Sequence, residues 1–82
     1  MATEYVTAPM PGVFYRRPEP DQDRFVEVGD EVSEGDTLGL VGVMKNFHDV
    51  TAPRDGRVTD VLVDEASEIE AGQELIEITT DA

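Results

Sequence analysis

The sequence predicts an all-β fold: a flattened β-barrel or sandwich of two quasi-symmetric, four-stranded antiparallel sheets with one added loop. Short apolar runs are separated by Gly-, Pro- and Asp-containing turns about every 8–12 residues, which is typical of small sandwiches and barrels. No stretch combines sufficient length with the apolar period of a helix. The two halves of the chain also resemble each other, as in a duplicated domain.

The internal repeat has two parts with different offsets. Residues 7–14 (TAPMPGVF) are echoed by residues 51–58 (TAPRDGRV), 44 positions later. The Val, Gly and Leu spacing of residues 26–38 recurs in residues 63–75, 37 positions later. Because repeats of this size cannot bury an apolar face alone, the two copies are expected to pack face to face as sheets.

A polar loop is predicted in the first copy only. The two offsets, 44 and 37, differ by seven residues, which places an insertion of about seven residues between Phe14 and Val26. Residues 16–24 fall in this window, and Pro18 and Pro20 exclude a ladder strand or a helix interior there.

The elements follow in order from the apolar runs and the turns between them. Residues 1–4 are expected to be frayed, and Val32 and Ile69 are single apolar anchors between turns. Runs rich in β-branched and aromatic residues, each closed by a turn, predict strands at residues 5–8, 13–15, 25–28, 37–43, 47–52, 57–63 and 75–78.

The predicted hairpin between residues 37–43 and 47–52 turns at Met44-Lys45. Two-residue hairpin turns favour pairs such as Asn-Gly, because both central residues need a positive φ. In that geometry Met44-Lys45 would carry a strain of about 1–3 kcal/mol, whereas a longer, looser turn would carry none.

Lys45 is the only lysine of the chain and lies at the join between the two copies. We therefore expect its side chain to be presented to a partner, although a composition that disfavours lysine would also leave one by chance. A Schiff-base lysine needs desolvation or a neighbouring cation, and an exposed tip between Met44 and Asn46 offers neither. The pattern favours an acceptor of a modification over a catalytic amine.

Length and composition predict one domain, residues 1–82, with a core at about residues 5–79. The absence of cysteine excludes disulfides, thiolate metal sites and cysteine nucleophiles. With neither a secretory signal pattern nor an apolar stretch of about 18 residues, the chain is expected to be soluble, unprocessed and cytoplasmic.

Acidic residues outnumber basic ones by 19 to 6, for a net charge of −13. Such a surface repels nucleic acid and anionic membranes, so neither is an expected partner. A high acid content with arginine in place of lysine is typical of proteins from salt-loving organisms, and predicts a halophilic protein.

The acidic pairs Asp30-Glu31 and Asp64-Glu65 lack the spacing of a calcium loop, and His48 is expected at the surface. No metal site is predicted.

Four features together resemble one family. They are the strand and turn of residues 8–15 (APMPGVFY), the VGDEVSEGDTL pattern of residues 28–38, the Met44-Lys45 pair and the loop at residues 16–24. The chain resembles the biotinyl domain of biotin carboxyl carrier proteins of the bacterial acetyl-CoA carboxylase type, from about Val6 to Ile78. The loop is similar to the "thumb" that distinguishes this type from lipoyl domains.

The resemblance implies that biotin is attached covalently to Lys45. The hairpin residues Val43, Met44 and Asn46 would then be recognised by a biotin protein ligase, although the family usually has Glu-Ala-Met-Lys-Met where this chain has Gly42-Val43-Met44-Lys45-Asn46. The thumb would consist of Arg16, Arg17, Pro18, Glu19 and Pro20. Its arginines would contact an acidic partner surface or the biotin ureido ring, or would only balance charge.

The resemblance further implies a carrier subunit without catalytic residues of its own. It would carry carboxybiotin between the biotin carboxylase and carboxyltransferase subunits of an acyl-CoA carboxylase in fatty acid biosynthesis. Without the flexible linker of many carrier proteins, it would dock as a free subunit or associate non-covalently with its carboxylase.

Two alternatives stay open at this point. A lipoyl carrier domain also holds its cofactor on a hairpin lysine, but it usually has an acidic residue at the position of Met44. The atypical residues 42, 43 and 46 also allow an unmodified β-sandwich that serves as a protein-interaction module.

Overall fold

The computed structural model of the chain describes residues 2–19 and 21–80, and in this part it contains eight β-strands and no helix. The strands are β1 (Ala2–Thr7), β2 (Gly12–Tyr15), β3 (Glu31–Val32), β4 (Thr37–Val43), β5 (Asn46–Thr51), β6 (Gly56–Val61), β7 (Ser67–Ile69) and β8 (Glu74–Thr80).

The strands form two four-stranded antiparallel sheets, in the orders β1-β8-β6-β3 and β5-β4-β2-β7. Shifting every strand number by four converts one order into the other, so the two sheets are related by a quasi-two-fold operation. The predicted all-β sandwich of two quasi-symmetric sheets is confirmed. The sheet that contains β4 and β5 is called the hairpin sheet below, and its counterpart the polar sheet.

The turns of the two copies share their backbone geometry. Gly35 and Gly72, 37 positions apart, have φ of 90° and 82°. Gly29 and Ala66, also 37 positions apart, have φ of 101° and 59°, although only the first is a glycine. Gly29 and Ala66 each donate a backbone hydrogen bond across to the other copy, at 2.8 and 2.9 Å. The repeat read from the sequence is therefore also a structural repeat.

The core lies between the two sheets and is made of side chains that alternate inward along the strands. Phe14 is fully buried, and its ring occupies the space where Gly39 lacks a side chain: a Cβ on Gly39 would lie 2.5 Å from the ring. The other core residues are Val6, Ala8, Val26, Val32, Leu38, Val41, Val50, Ala52, Val58, Ile69, Leu75, Ile76 and Ile78.

Several details of the predicted elements are wrong. Val32 and Ile69, expected as single anchors between turns, lie in the short strands β3 and β7. Residues 2–4 are not frayed, because they extend β1, whose Ala2 pairs with Thr80 of β8. Residues 25–28 do not form a strand: Phe25 donates its N–H to Arg16 O at 2.8 Å, which closes the inserted loop, and no strand pairs with the residues that follow. Leu62 and Val63 lie beyond β6, which ends at Val61. Met1, which also belonged to the frayed segment, lies outside the described residues.

In the described part of the chain there is no helix of the length and apolarity needed to cross a membrane.

Candidate functional site

The turn between β4 and β5 contains only two residues. Val43 pairs with Asn46, which leaves Met44 and Lys45 as the central residues. Met44 has a φ of 57°, whereas Lys45 is not among the residues with positive φ. The turn therefore has one positive φ, at its first position, as in a type II′ turn, and not the two expected from the sequence. The longer, looser turn is excluded.

The tip of this hairpin projects from the hairpin sheet. Met44 is 98% exposed, and Lys45 and Asn46 are also exposed, while Val43 packs against the core and fixes the base of the turn. Within residues 2–19 and 21–80, the Lys45 amine makes no hydrogen bond or ion pair. The structure thus presents a primary amine at the exposed tip of a two-residue turn.

The inserted loop at residues 16–24 lies beside the hairpin sheet and contains neither helix nor strand in its described part. Its ends meet through the Phe25 N–H and Arg16 O, and Gln22 donates its N–H to Glu19 O at 3.0 Å. Arg16, Arg17, Pro18 and Glu19 of the predicted thumb belong to this loop. Pro20 lies outside the described residues.

The two thumb arginines contact their own chain. Arg16 Nη2 donates to Val26 O at 3.4 Å, and Arg17 Nη1 donates to Gln22 O at 3.5 Å. Partial burial, and then the positive charge of Arg24, lower the pKa of the Arg16 guanidinium, which still stays charged at neutral pH. Both guanidinium groups therefore brace the loop.

A groove of about 460 Å³ separates the loop from the outer face of the hairpin sheet. Its sheet side consists of Tyr15, Leu40 and Phe47, and the loop side of residues 17–19. The rings of Tyr15 and Phe47 lie 6.0 Å apart and cover Gly42, where a Cβ would approach the two rings to 3.0 and 3.2 Å. Phe47 is 61% exposed and only two residues from Lys45. The groove is thus a largely apolar surface, one of whose lining residues, on β5, lies two positions from Lys45.

The polar sheet is built from the same repeat but carries different side chains at the equivalent positions. Tyr15, Leu40 and Phe47 correspond through the offsets of 44 and 37 to Thr59, Glu77 and Thr3. Glu77 accepts hydrogen bonds from Thr59 at 2.9 Å and from the Tyr5 hydroxyl at 3.3 Å. The charge of Glu77, followed by this hydrogen bond, raises the pKa of Tyr5. The outer faces of the two sheets have therefore diverged at these three positions, which are apolar beside Lys45 and polar in the other sheet.

Sequence reasoning placed Lys45 and its neighbours correctly on a hairpin but did not identify Tyr15, Gly42 or Phe47 as site residues. These residues meet across strands, and their contacts depend on the register of β2, β4 and β5. A comparison of the two repeat copies, position by position, would have shown the apolar substitutions on one face.

No group of three or more His, Asp or Glu side chains in residues 2–19 and 21–80 is placed to hold a metal ion. His48 is exposed on β5, opposite Val41.

Comparison with known proteins assigns the chain to a family. Residues 4–78 match the model of the biotin/lipoyl family, described as "Biotin-requiring enzyme". The biotin carboxyl carrier protein of acetyl-CoA carboxylase from Streptococcus pyogenes is 43% identical over 75 residues, which are 92% of this chain and 45% of that protein. The protein of the same description from Pyropia yezoensis is 36% identical over 80 residues, 95% of this chain and 51% of its own length.

Among solved structures, a single-chain, multi-domain long-chain acyl-CoA carboxylase matches 98% of this chain and 7% of its own, with a TM-score of 0.81 and 21% identity. This likeness supports the fold. The chain spans about half the length of the curated relatives it matches. The resemblance inferred from residues 8–15, 28–38 and Met44-Lys45 is confirmed, and the chain belongs to the biotin/lipoyl family of biotin-requiring enzymes.

Proposed function

We propose that this chain is the biotin carrier domain of an acyl-CoA carboxylase, with biotin attached through an amide to the Nζ of Lys45. The observation that carries the proposal is the exposed two-residue turn, which holds Lys45 without a hydrogen bond or ion pair in the described chain. The names of the curated relatives, which are biotin carboxyl carrier proteins, favour biotin over lipoate.

In the proposed modification the domain contributes only the nucleophilic amine of Lys45. The neutral Lys45 amine attacks an activated carboxyl carbon supplied by a biotin protein ligase, the activating group leaves, and a proton is lost as the amide forms. The attachment removes the lysine charge. Because no described side chain forms a hydrogen bond or ion pair with the amine, the ligase would provide the activation, and the domain would hold the lysine in an exposed position. Biotin, once attached, supplies carboxyl-group transfer, and the protein positions it.

The groove beside Lys45 fits a small, partly apolar bicyclic ring at the end of a flexible arm. Its volume of about 460 Å³ lies within the range of small-molecule sites, and its sheet side is aromatic and aliphatic. The thumb residues Arg16, Arg17, Pro18, Glu19 and Pro20 would shield the ring between visits to partner enzymes. The loss of this apolar surface from the equivalent face of the polar sheet supports a binding role.

The wider assignment follows from the same proposal. The partners would be a biotin protein ligase that reads Val43, Met44 and Asn46, together with biotin carboxylase and carboxyltransferase subunits. The net charge of −13 makes nucleic acid and anionic membranes poor partners. We place the domain, residues 1–82 with the thumb at residues 16–24, in cytoplasmic fatty acid biosynthesis of a salt-loving organism, as a carrier and not as a catalytic subunit.

The test is the intact mass of the protein co-expressed with a biotin protein ligase in excess biotin. We expect one added biotinyl group on the parent and none on Lys45→Arg, which keeps the charge but cannot form the amide. An unmodified parent would contradict the proposal for that ligase. Modification by a lipoyl ligase instead would identify a lipoyl domain, and failure with both would leave an unmodified interaction module.

A further inference from the structure

Three contacts between the first two residues of the inserted loop and the rest of the domain share one carboxylate, that of Glu65. The Arg16 backbone N–H donates to both oxygens of Glu65, at 3.2 and 3.1 Å. The Arg17 Nε lies 3.6 Å from Glu65 Oε2, in a pair whose side chains are 30% and 35% exposed. Glu65 itself is not part of the loop; it precedes β7, about 40 residues further along the chain.

The repeat supplies an internal comparison for this carboxylate. The position equivalent to Glu65 is Val28, 37 residues earlier, where the side chain is 60% exposed. The turns that follow these two residues have the same form, since Gly29 and Ala66 both have positive φ and donate corresponding hydrogen bonds. The turn therefore does not require an acid at its first position. A glutamate occurs only in the copy that faces the inserted loop.

The same carboxylate borders the groove beside Lys45. Glu65 and Ala66 line one part of the groove, and Arg17, Pro18 and Glu19 line another. Because Glu65 binds the first two residues of the loop, the position of the loop relative to Phe47 depends on it. A hydrogen bond to a charged acceptor in a partly desolvated site is also among the stronger contacts of a small protein.

We propose that Glu65 is a positioning residue: it latches the inserted loop and so sets the width of the groove in which the ring carried by Lys45 rests. The part that concerns the ring depends on the proposed function, whereas the latch itself does not. Release of the latch would let the loop swing away from the hairpin sheet while the two sheets stay intact.

The latch is tested on the unmodified protein by hydrogen exchange. Glu65→Val copies the residue of the equivalent turn, and Glu68→Val is the matched control, since Glu68 is an exposed neighbour on β7 with the same charge. In Glu65→Val we expect the Arg16 and Phe25 amides to exchange about tenfold faster, the scale of one charged hydrogen bond. Amides of β4 and β8 should be unchanged in both variants, which shows that the fold is kept.

Glu65→Gln separates the charge from the hydrogen-bond acceptor and should give an intermediate acceleration. Loop amides as protected in Glu65→Val as in the parent would overturn the latch. Equal acceleration in Glu68→Val would also overturn it, because the effect would then come from net charge.

The second readout compares the Phe47 and Leu40 NMR signals before and after biotinylation. We expect a shift in the parent and in Glu68→Val, and a shift reduced severalfold in Glu65→Val. A parent whose Phe47 signals do not respond to attached biotin would show that the ring does not use the groove, and the latch would then have no role in positioning it. A parent that is not biotinylated at all contradicts the proposed function but leaves the exchange result valid.

Discussion

At the scale of single residues, the residue at the hairpin tip is unfavourable for stability but is exposed beside Lys45, where a partner could recognise it. Met44 occupies a turn position that favours glycine, with a φ of 57°. A non-glycine residue in the left-handed region costs about 1 kcal/mol or more. Nothing in the packing explains this residue, because the side chain is 98% exposed. A strained and exposed methionine next to a free lysine is consistent with recognition by a partner.

Replacement of Met44 should therefore separate stability from modification. We expect Met44→Gly to stabilise the domain by about 1 kcal/mol, a rise of roughly 4–8 °C in Tm for a chain of this size. Attachment of biotin at Lys45 should become slower, because the ligase loses the methionine side chain and meets a more flexible turn. Tm and the rate of labelling by the ligase are the measurements.

Met44→Leu is the matched control, because it keeps both the strained φ and an apolar side chain. Its Tm should equal that of the parent. If Met44→Gly does not raise Tm while Met44→Leu is neutral, the strain at the positive φ is no larger than the entropy that glycine adds to the unfolded chain.

Lys45 could be predicted because its signals are local: a single lysine, a two-residue interval between apolar runs, and the join of a repeat. Glu65 and Gly42 could not be predicted in the same way. The role of Glu65 depends on a contact with Arg16 across 49 positions, and that of Gly42 on two rings from neighbouring strands. Long-range contacts of this kind depend on register, which the apolar pattern alone leaves open.

At the scale of strands and loops, the two copies fill the core in different ways. In the first copy a large residue, Phe14, lies against a residue without a side chain, Gly39. In the second copy the equivalent positions are Val58 and Ile76, both buried. In the first copy the large side chain of β2 thus fills the space left by the glycine of β4, whereas in the second copy both strands contribute aliphatic side chains of similar size.

This pairing predicts a coupling between two strands. Gly39→Ala places a Cβ 2.5 Å from the Phe14 ring and 2.9 Å from Tyr15 O, and should destabilise the domain by about 1–3 kcal/mol. Phe14→Val, which creates a cavity, should cost a similar amount or more. Because the smaller side chain makes room for the new methyl group, the double variant should lose about 1 kcal/mol less than the sum.

Urea unfolding of the parent, the two single variants and the double variant measures this coupling. The clash with Tyr15 O involves backbone, so the compensation should be partial. Strict additivity would show that the strands relax independently and that Phe14 does not depend on Gly39.

Burial followed from the sequence more reliably than strand pairing. Residues 37–43 were predicted with the bounds of β4, because the run after Thr37 contains only aliphatic residues and glycine and ends at the hairpin. Residues 25–28 are also largely apolar, but they have no neighbouring strand to pair with, since the inserted loop closes at Phe25. Val26 is nevertheless buried, as the repeat pattern indicated. At this point the apolar pattern therefore indicated which side chain is buried, but not whether the backbone pairs with another strand.

At the scale of the whole molecule, the charge is spread over a small body. The net charge of −13 lies on a domain with a radius of gyration of 11.9 Å. Four arginines form ion pairs with glutamates in the described chain, and these pairs leave most of the 19 acids without compensation. Mutual repulsion among the acids therefore lowers the free energy of unfolding. Salt can reduce this repulsion.

The predicted effect is a rise of Tm with salt that is steepest at low concentration. At 0.01 M salt the Debye length is about 30 Å, so charges on opposite sides of the domain repel each other, whereas at 1 M it is about 3 Å and only adjacent charges interact. Tm measured from 0.01 to 1 M sodium chloride should therefore rise by several degrees, mostly below about 0.3 M. If salt acted instead by strengthening apolar burial, Tm would continue to rise steadily into the molar range. An unchanged Tm would contradict both the repulsion and the assignment to a salt-loving organism, because the acidic surface would then carry no cost that salt relieves.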